Sequence, residues 1–327
     1  MRRVLGNTVA APGVAERKTA APRAAPAVRK APATGDIVLA PGISTTDAFK
    51  TVAGTLVGLI EAQRAAVSKR DPTGVHQMRI ALRRTRAAIS IFADLVDGPE
   101  AERIKRQLKW LTGRLGPARD LHLMDLRLQE TSKGGSDTLR KQVAADRSRA
   151  FDIASRTVAY KRFGKLLDDL RSWIAAGDWG QTSKDIPESA KTFAKQTLAN
   201  RANRLIKKLN RLDELDDEQR HRVRIAAKKL YYAAGFFESL FTGPRSGKRL
   251  TSFRQQLKEL LDALGALNDA AVQRELAAHI ASHSQHKAAS AAAAKELVTV
   301  DDAATRKQLK AAVKAASRLA DAPRFGD

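Results

Sequence analysis

Two stretches of this chain repeat one another 145 residues apart. The first is VHQMRIALRRTR, Val75 to Arg86, and the second is HRVRIAAKKLYY, His221 to Tyr232. His76 matches His221, Arg79 matches Arg224, Ile80-Ala81 match Ile225-Ala226, and Arg83-Arg84 become Lys228-Lys229. The same offset carries Phe92 to Phe237, Leu95 to Leu240 and Gly98-Pro99 to Gly243-Pro244. Further on it becomes 149: Leu108 to Leu257, Lys109 to Lys258, Leu111 to Leu260, Leu115 to Leu264, Asp120 to Asp269. The step predicts a four-residue insertion in a loop after Gly243-Pro244, where added length costs little. A duplication limits the fold strongly, because whatever the first half builds, the second half builds again.

Each repeat reads as a helix, with no Gly or Pro and many helix formers. At 100° per residue, His76, Arg79, Arg83 and Arg86 fall within about 80° of one another. Met78, Leu82, Ile89, Phe92 and Val96 share the opposite side. One face is therefore apolar and the other lines up an imidazole and three guanidinium groups. Aligned cations repel, so the row implies full solvation or an anion between them. One such helix is explained by a solvated basic face. Two in register, each opening on His, point to a shared ligand.

Composition agrees. Lys and Arg number 59 against 35 Asp and Glu, a net charge of +24, which calls for a polyanionic partner such as nucleic acid, polyphosphate or an anionic membrane surface. The absence of Cys excludes disulfides, thiolate metal sites and Cys nucleophiles. No apolar run is long enough to span a bilayer, and the start lacks a secretory pattern, so the cytoplasm is expected. The low aromatic content and the abundance of Ala and Leu predict an all-α protein, and the internal repeat makes it two related helical bundles with approximate two-fold symmetry.

Residues 1–43 read as a disordered basic Ala/Pro-rich tail. The first half, 44–178, is predicted to hold a helix from about Ser44 to Lys69. A His76 helix follows, capped near Asp71 and ending at Asp97-Gly98-Pro99. A third helix runs from about Glu100 to Leu115 and breaks at Gly116-Pro117. After Leu121–Glu130 comes a break at Lys133–Ser136. Then a long helix spans about 137–176, with Phe151, Tyr160, Phe163, Leu167, Leu170 and Trp173 packed inward. Residues 179–187 form a linker. The second half, 188–320, repeats the plan as helices near 188–212, 216–242, 248–264, 266–285 and 290–320.

Facing basic helices would line one cleft with His76, Arg79, Arg83, Arg84 and Arg86 from one side and His221, Arg224, Lys228 and Lys229 from the other. Arg119, and Arg201, Arg204 and Lys208 at helical spacing, are further candidates. Arg grips phosphate bidentately and Lys serves as a mobile point charge, a mixture suited to a flexible chain of phosphates. Asp120 and Asp269 have two readings: pairing with an Arg to fix its rotamer, or stabilising a helix start.

VHQMRIALRRTR followed by LGPARD, and HRVRIAAKKLYY followed by LGALND, resemble the two halves of a CHAD domain, the conserved histidine α-helical domain. The resemblance covers about residues 45–320. It implies two four-helix bundles enclosing a basic channel, binding of inorganic polyphosphate, and association with polyphosphate granules in bacteria. Tyr231 stands where the family's second motif has a basic residue, and Asn268 where the first half has Arg119, which implies a less basic second half. No Glu-x-Glu-x-Lys strand of a triphosphate tunnel and no phosphate-binding Gly-x-x-x-x-Gly-Lys-Ser/Thr loop occurs, so no enzyme and no cofactor are expected. His279, His283 and His286 have helical spacing but no Cys or Asp beside them, and a solvated face explains them better than a metal. Nonspecific nucleic-acid binding is the alternative. Only Tyr231-Tyr232 offer aromatics among the basic residues for stacking on bases.

Overall fold

The His76 helix shows how local sequence builds the scaffold. Asp71 accepts a hydrogen bond from the Thr73 amide at 2.8 Å, Pro72 occupies the first helical turn, and the helix runs Pro72–Ile91. Met78, Leu82, Ile89, Phe92 and Val96 are all buried, as the periodicity predicts. The second His helix, Asp217–Phe236, starts the same way. Asp216 caps it in a reciprocal box with Gln219.

The computed structural model describes residues 37–130, 137–177, 186–283 and 302–321, with side chains for all of these except 127, 130, 137–139, 269–283 and 302–304. The described helices are α1 (Thr45–Ala62), α2 (Arg64–Ser68), α3 (Pro72–Ile91), α4 (Ala93–Val96), α5 (Pro99–Glu130), α6 (Asp137–Ala159), α7 (Lys161–Ala176), α8 (Ala190–Leu209), α9 (Asp217–Phe236), α10 (Pro244–His283) and α11 (Asp302–Ala320). A 3-10 turn spans Glu238–Leu240. There is no strand among the described residues, so the all-α expectation holds. The expected break at 133–136, most of the linker and the tail up to residue 36 lie outside the described residues.

Within the first half, α1 packs on α3 and α7, α3 on α5, and α5 on α6 and α7. Within the second, α8 packs on α9 and α11, α9 on α10, and α10 on α11. The halves meet through α3 on α9 and α1 on α8. Phe92 and Phe237 end their helices alike, each donating its amide to the carbonyl four residues back. Their rings touch edge-on at 5.6 Å, and Phe193 stacks on Phe92 at 5.1 Å. Phe49 and Trp173 extend the cluster. Burying each Phe contributes about 1.5–3 kcal/mol, so this cluster is a main weld between the halves. The starts of α1 and α8 are tied as well. Ser44 and Ser189 form an isolated antiparallel bridge, the Thr45 amide donates to Glu188 O at 2.7 Å, and the Ala190 amide donates to Ile43 O at 3.1 Å.

Several boundaries differ from the sequence reading. Gly116-Pro117 does not break a helix, since α5 continues through Pro117. A mid-helix Pro costs about 3 kcal/mol, but Leu111, Leu115 and Ala118 are fully buried on either side of it and together outweigh that cost. The break expected at Gly265 is likewise absent from α10. Nor does the four-residue insertion fall in a loop. It lies in the early turns of α10, where four residues are close to one turn of 3.6 and leave the buried face in place. Leu257, Leu260 and Leu264 are buried just as Leu108, Leu111 and Leu115 are. The long helix at 137–176 divides at Tyr160, whose backbone turns extended and whose side chain is 57% exposed rather than packed. The first helix divides at Gln63 and the His76 helix at Phe92. Residues 37–43, assigned to the tail, pack on the core. Ile37 and Leu39 are buried, and the Leu39 amide donates to Ser239 Oγ at 2.8 Å.

Candidate functional site

Four of the predicted cations gather at one place in the first half. His76, Arg79 and Arg83 come from α3, and Arg119 comes from the turn of α5 that faces it. Burial first, then the charges of Arg119, Arg83 and Arg79, hold His76 below the ordinary histidine range. Arg79 is pulled down by burial, pushed back up by Asp120, and pulled down again by Arg83 and Arg119. Arg119 feels burial, Asp120 and Arg83 in the same senses. These groups therefore share one field, with Asp120 as its carboxylate. Guanidinium groups stay charged throughout, so the imidazole is the member that yields.

The sequence Gly-x-x-x-Asp now has a physical meaning. Gly116 and Asp120 are one turn apart on α5 and both face Arg79. A Cβ at Gly116 would stand 3.1 Å from Arg79 Nη1, so glycine leaves room for the guanidinium. Asp120 meets Arg79 at 3.6 Å from a largely exposed position. An exposed, long ion pair adds little stability, so its effect is to orient Arg79. Of the two readings for Asp120, pairing with an Arg is the one observed. The side chain of Asp269 lies outside the described set.

A second group forms where the halves meet. Arg201 from α8 donates to the Ser90 carbonyl, and Lys229 from α9 donates to Ser90 Oγ at 3.3 Å. Lys229 is held down by burial and by Arg201 and Arg86. Arg201 is held down by burial and Arg204, against the pull of Asp94. Arg86, Arg201, Arg204 and Lys229 thus form a cationic group drawn from three helices and both halves. Ser90 has no counterpart in the repeat, where Gly235 occupies its place. That is why repeat matching passes over it.

His221 is placed differently. Its Nδ1 lies 2.6 Å from Asn268 Oδ1, the position equivalent to Arg119. Arg224 and Lys228 are half-buried on the same helix. At the position equivalent to Arg86, Tyr231 instead lies under the Arg254 guanidinium, 5.3 Å from it. Arg84 leaves the basic row and sits over the Phe236 ring at 5.7 Å, across the α3–α9 contact. Lys208 is exposed in the last turn of α8, where a cation suits the helix end. His76 and His221 each stand sixteen residues before the paired Phe92 and Phe237, about 24 Å along their helices. The two helices thus meet near one end and carry their histidines at the other.

Among the described residues no cluster of three or more His, Cys, Asp or Glu stands ready to hold a metal, and no helix is long and apolar enough to cross a membrane. The side chains of His279, His283 and His286 lie outside the described set.

Comparison with known proteins fits this geometry. The family model of the CHAD domain matches residues 52–278. The fold is similar to the crystal structure of the CHAD domain from the plant Ricinus communis, with a TM-score of 0.71 and 25% identity over 86% of this chain and 97% of that one. It is also similar in fold to PptA from Streptomyces chartreusis, with a TM-score of 0.56 and 20% identity over 84% of this chain and 99% of that one. No curated protein matches the sequence. With the match spanning both histidine helices and both of the turns that face them, the chain belongs to the CHAD-domain family.

Proposed function

We propose that this protein binds inorganic polyphosphate, without turning it over, in a basic channel between two pseudo-symmetric helical bundles. The observation that carries this reading is the convergence of His76, Arg79, Arg83 and Arg119 around one exposed carboxylate. Mutually repelling, half-desolvated cations are relieved by a ligand bearing closely spaced negative charges. The group at Arg86, Arg201, Arg204 and Lys229 supplies more of the same along the cleft.

Support for the two-fold comes from contacts between sequence-equivalent residues. Ser44 bridges Ser189, Phe92 touches Phe237, and the bonds from Thr45 to Glu188 and from Ala190 to Ile43 exchange roles under the 145-residue shift. Binding without turnover is the reading that the pairing of Asp120 supports. Phosphoryl transfer uses carboxylates to hold a metal, and Asp120 already answers to Arg79. The reading extends to a cytoplasmic protein associated with polyphosphate granules, which imaging a tagged chain beside a polyphosphate stain would test.

The deciding experiment is competition among long-chain polyphosphate, single-stranded DNA and double-stranded DNA, matched for charge, at rising salt. Polyphosphate is expected to win by tenfold or more at physiological salt. Equal binding, or DNA winning, would mean that charge alone drives association and would put nonspecific nucleic-acid binding in first place.

A further inference from the structure

We infer that the phosphate path leaves the cleft on the first half, passing over α5 onto α6, where His122, Arg147 and Arg140 hold further phosphate groups of the same polyphosphate chain. The inference rests on the polyphosphate reading of the cleft. It begins at Arg119, which stands one turn before His122 on α5, so the two are surface neighbours. The Arg119 charge acts on both His76 and His122 and links the two places.

α6 runs back along α5. The His122 ring meets Phe151 edge-on at 6.2 Å, while Asp125, further along α5, meets Arg147, earlier on α6, at 3.3 Å. The groups facing His122 are Arg119 and Asp125 from α5 and Arg147 from α6. Burial, Arg147 and Arg119 push its pKa down, and Asp125 pushes the other way. Nδ1 of His122 is buried with no hydrogen-bond partner. A buried N–H without an acceptor is the costlier choice, which assigns the proton to Nε2. The neutral ring then presents an N–H donor, held in orientation by Phe151, that a phosphate oxygen can accept.

Arg147 packs its guanidinium over Phe151 at 5.5 Å and keeps about a third of its side chain exposed. Arg140 lies two turns earlier on the same face of α6, which continues the line of positive charge. Buried Nε atoms of both arginines have no partner among the described residues. In sequence, the position that matches His122 under the 149-residue shift is Ala271.

That correspondence supplies a mild substitution. His122→Ala combined with Arg140→Gln is compared with Arg79→Ala plus Arg224→Ala in the cleft, using long-chain polyphosphate and tripolyphosphate as probes. The His122/Arg140 variant is expected to bind the long chain about five- to tenfold more weakly and to flatten its salt dependence by about one counterion. It is expected to leave tripolyphosphate affinity unchanged, because a short ligand stays in the cleft. Arg147→Lys, which keeps the charge beside Asp125, is expected to lose less than Arg147→Gln. Long-chain affinity and salt slope both unchanged in the His122/Arg140 variant, with binding lost in the cleft variant, would overturn the inference and leave the cleft reading in place. Loss in the His122/Arg140 variant with none in the cleft variant would overturn the cleft reading and, with it, the path that starts there. An equal loss of both probes in a folded His122/Arg140 variant would also overturn it.

Discussion

The His76 and His221 neighbourhoods occupy equivalent places in the repeat, yet they have diverged in charge. Around His76 the facing turn supplies Arg119, and the imidazole lies in a field of three guanidinium groups. Around His221 the same turn supplies Asn268, which engages the ring through Nδ1. Tyr231 in place of Arg86 extends the contrast, since an aromatic ring receives a cation where its counterpart is one. The buried leucines that position these turns are matched pair by pair. The matched positions therefore keep their packing while their charges differ. On the proposed function the first half is the stronger anion holder, while the second contributes Lys229 to the shared group beside Ser90.

The strongest test of this asymmetry is charge removal. Arg79→Ala with Arg224→Ala is expected to cost at least about a hundredfold in polyphosphate affinity, since each charge-assisted contact is worth about 1.5–3 kcal/mol. Arg79→Ala alone should account for more of that loss than Arg224→Ala alone, as read by calorimetry with the fold checked by circular dichroism. The next effect comes from exchanging the differing residues. Arg119→Asn should weaken binding about tenfold, and Asn268→Arg should strengthen it by several-fold. Equal and small effects of both exchanges would mean that the two sites are equivalent.

A smaller effect is expected from Gly116→Ala. The new methyl pushes the Arg79 guanidinium aside and should cost about three- to tenfold in affinity. Thermal stability should hold or rise, because Ala is favoured over Gly in a helix by about 1 kcal/mol. The same change at Gly265, where no atom lies within 4 Å of the added carbon, should leave binding as it was.

The subtlest contrast is in pH. The His76 pKa is depressed in the folded state, so below the ordinary histidine value of 6.5 the unfolded chain takes up the proton first. Its contribution to stability is therefore present above that value and lost as pH falls below it. A bound polyanion reverses the local field, so binding should draw a proton onto His76 and strengthen as pH falls from about 7.5 to 5.5. Calorimetry in buffers of different ionisation enthalpy should register that uptake, and His76→Asn should reduce it.

Much of the fold was legible because helix caps, buried periodicity and repeat offsets are all local in sequence. Asp71, Met78, Leu82 and the matched leucines of α5 and α10 sit where the pattern predicts. The misreadings arose where tertiary packing overrules a local signal. Pro117 is carried through α5 by its buried neighbours, and Tyr160 marks a turn that an apolar periodicity conceals. At the site, the basic residues and the candidates to join them could be read from the sequence, but the individual contacts each makes could not. That Arg119 serves His76, that Arg84 leaves the row for Phe236, and that Ser90 gathers Arg201 and Lys229 all depend on contacts between helices far apart in sequence.

The central claim is that both halves grip one polyanion through these groups. It is tested most directly by the salt dependence of long-chain polyphosphate affinity, measured for the wild-type chain and for Arg79→Ala with Arg224→Ala. The account predicts a steep wild-type slope that falls by about two counterions in the variant, together with the loss of affinity. A folded variant with the wild-type slope and affinity would contradict it.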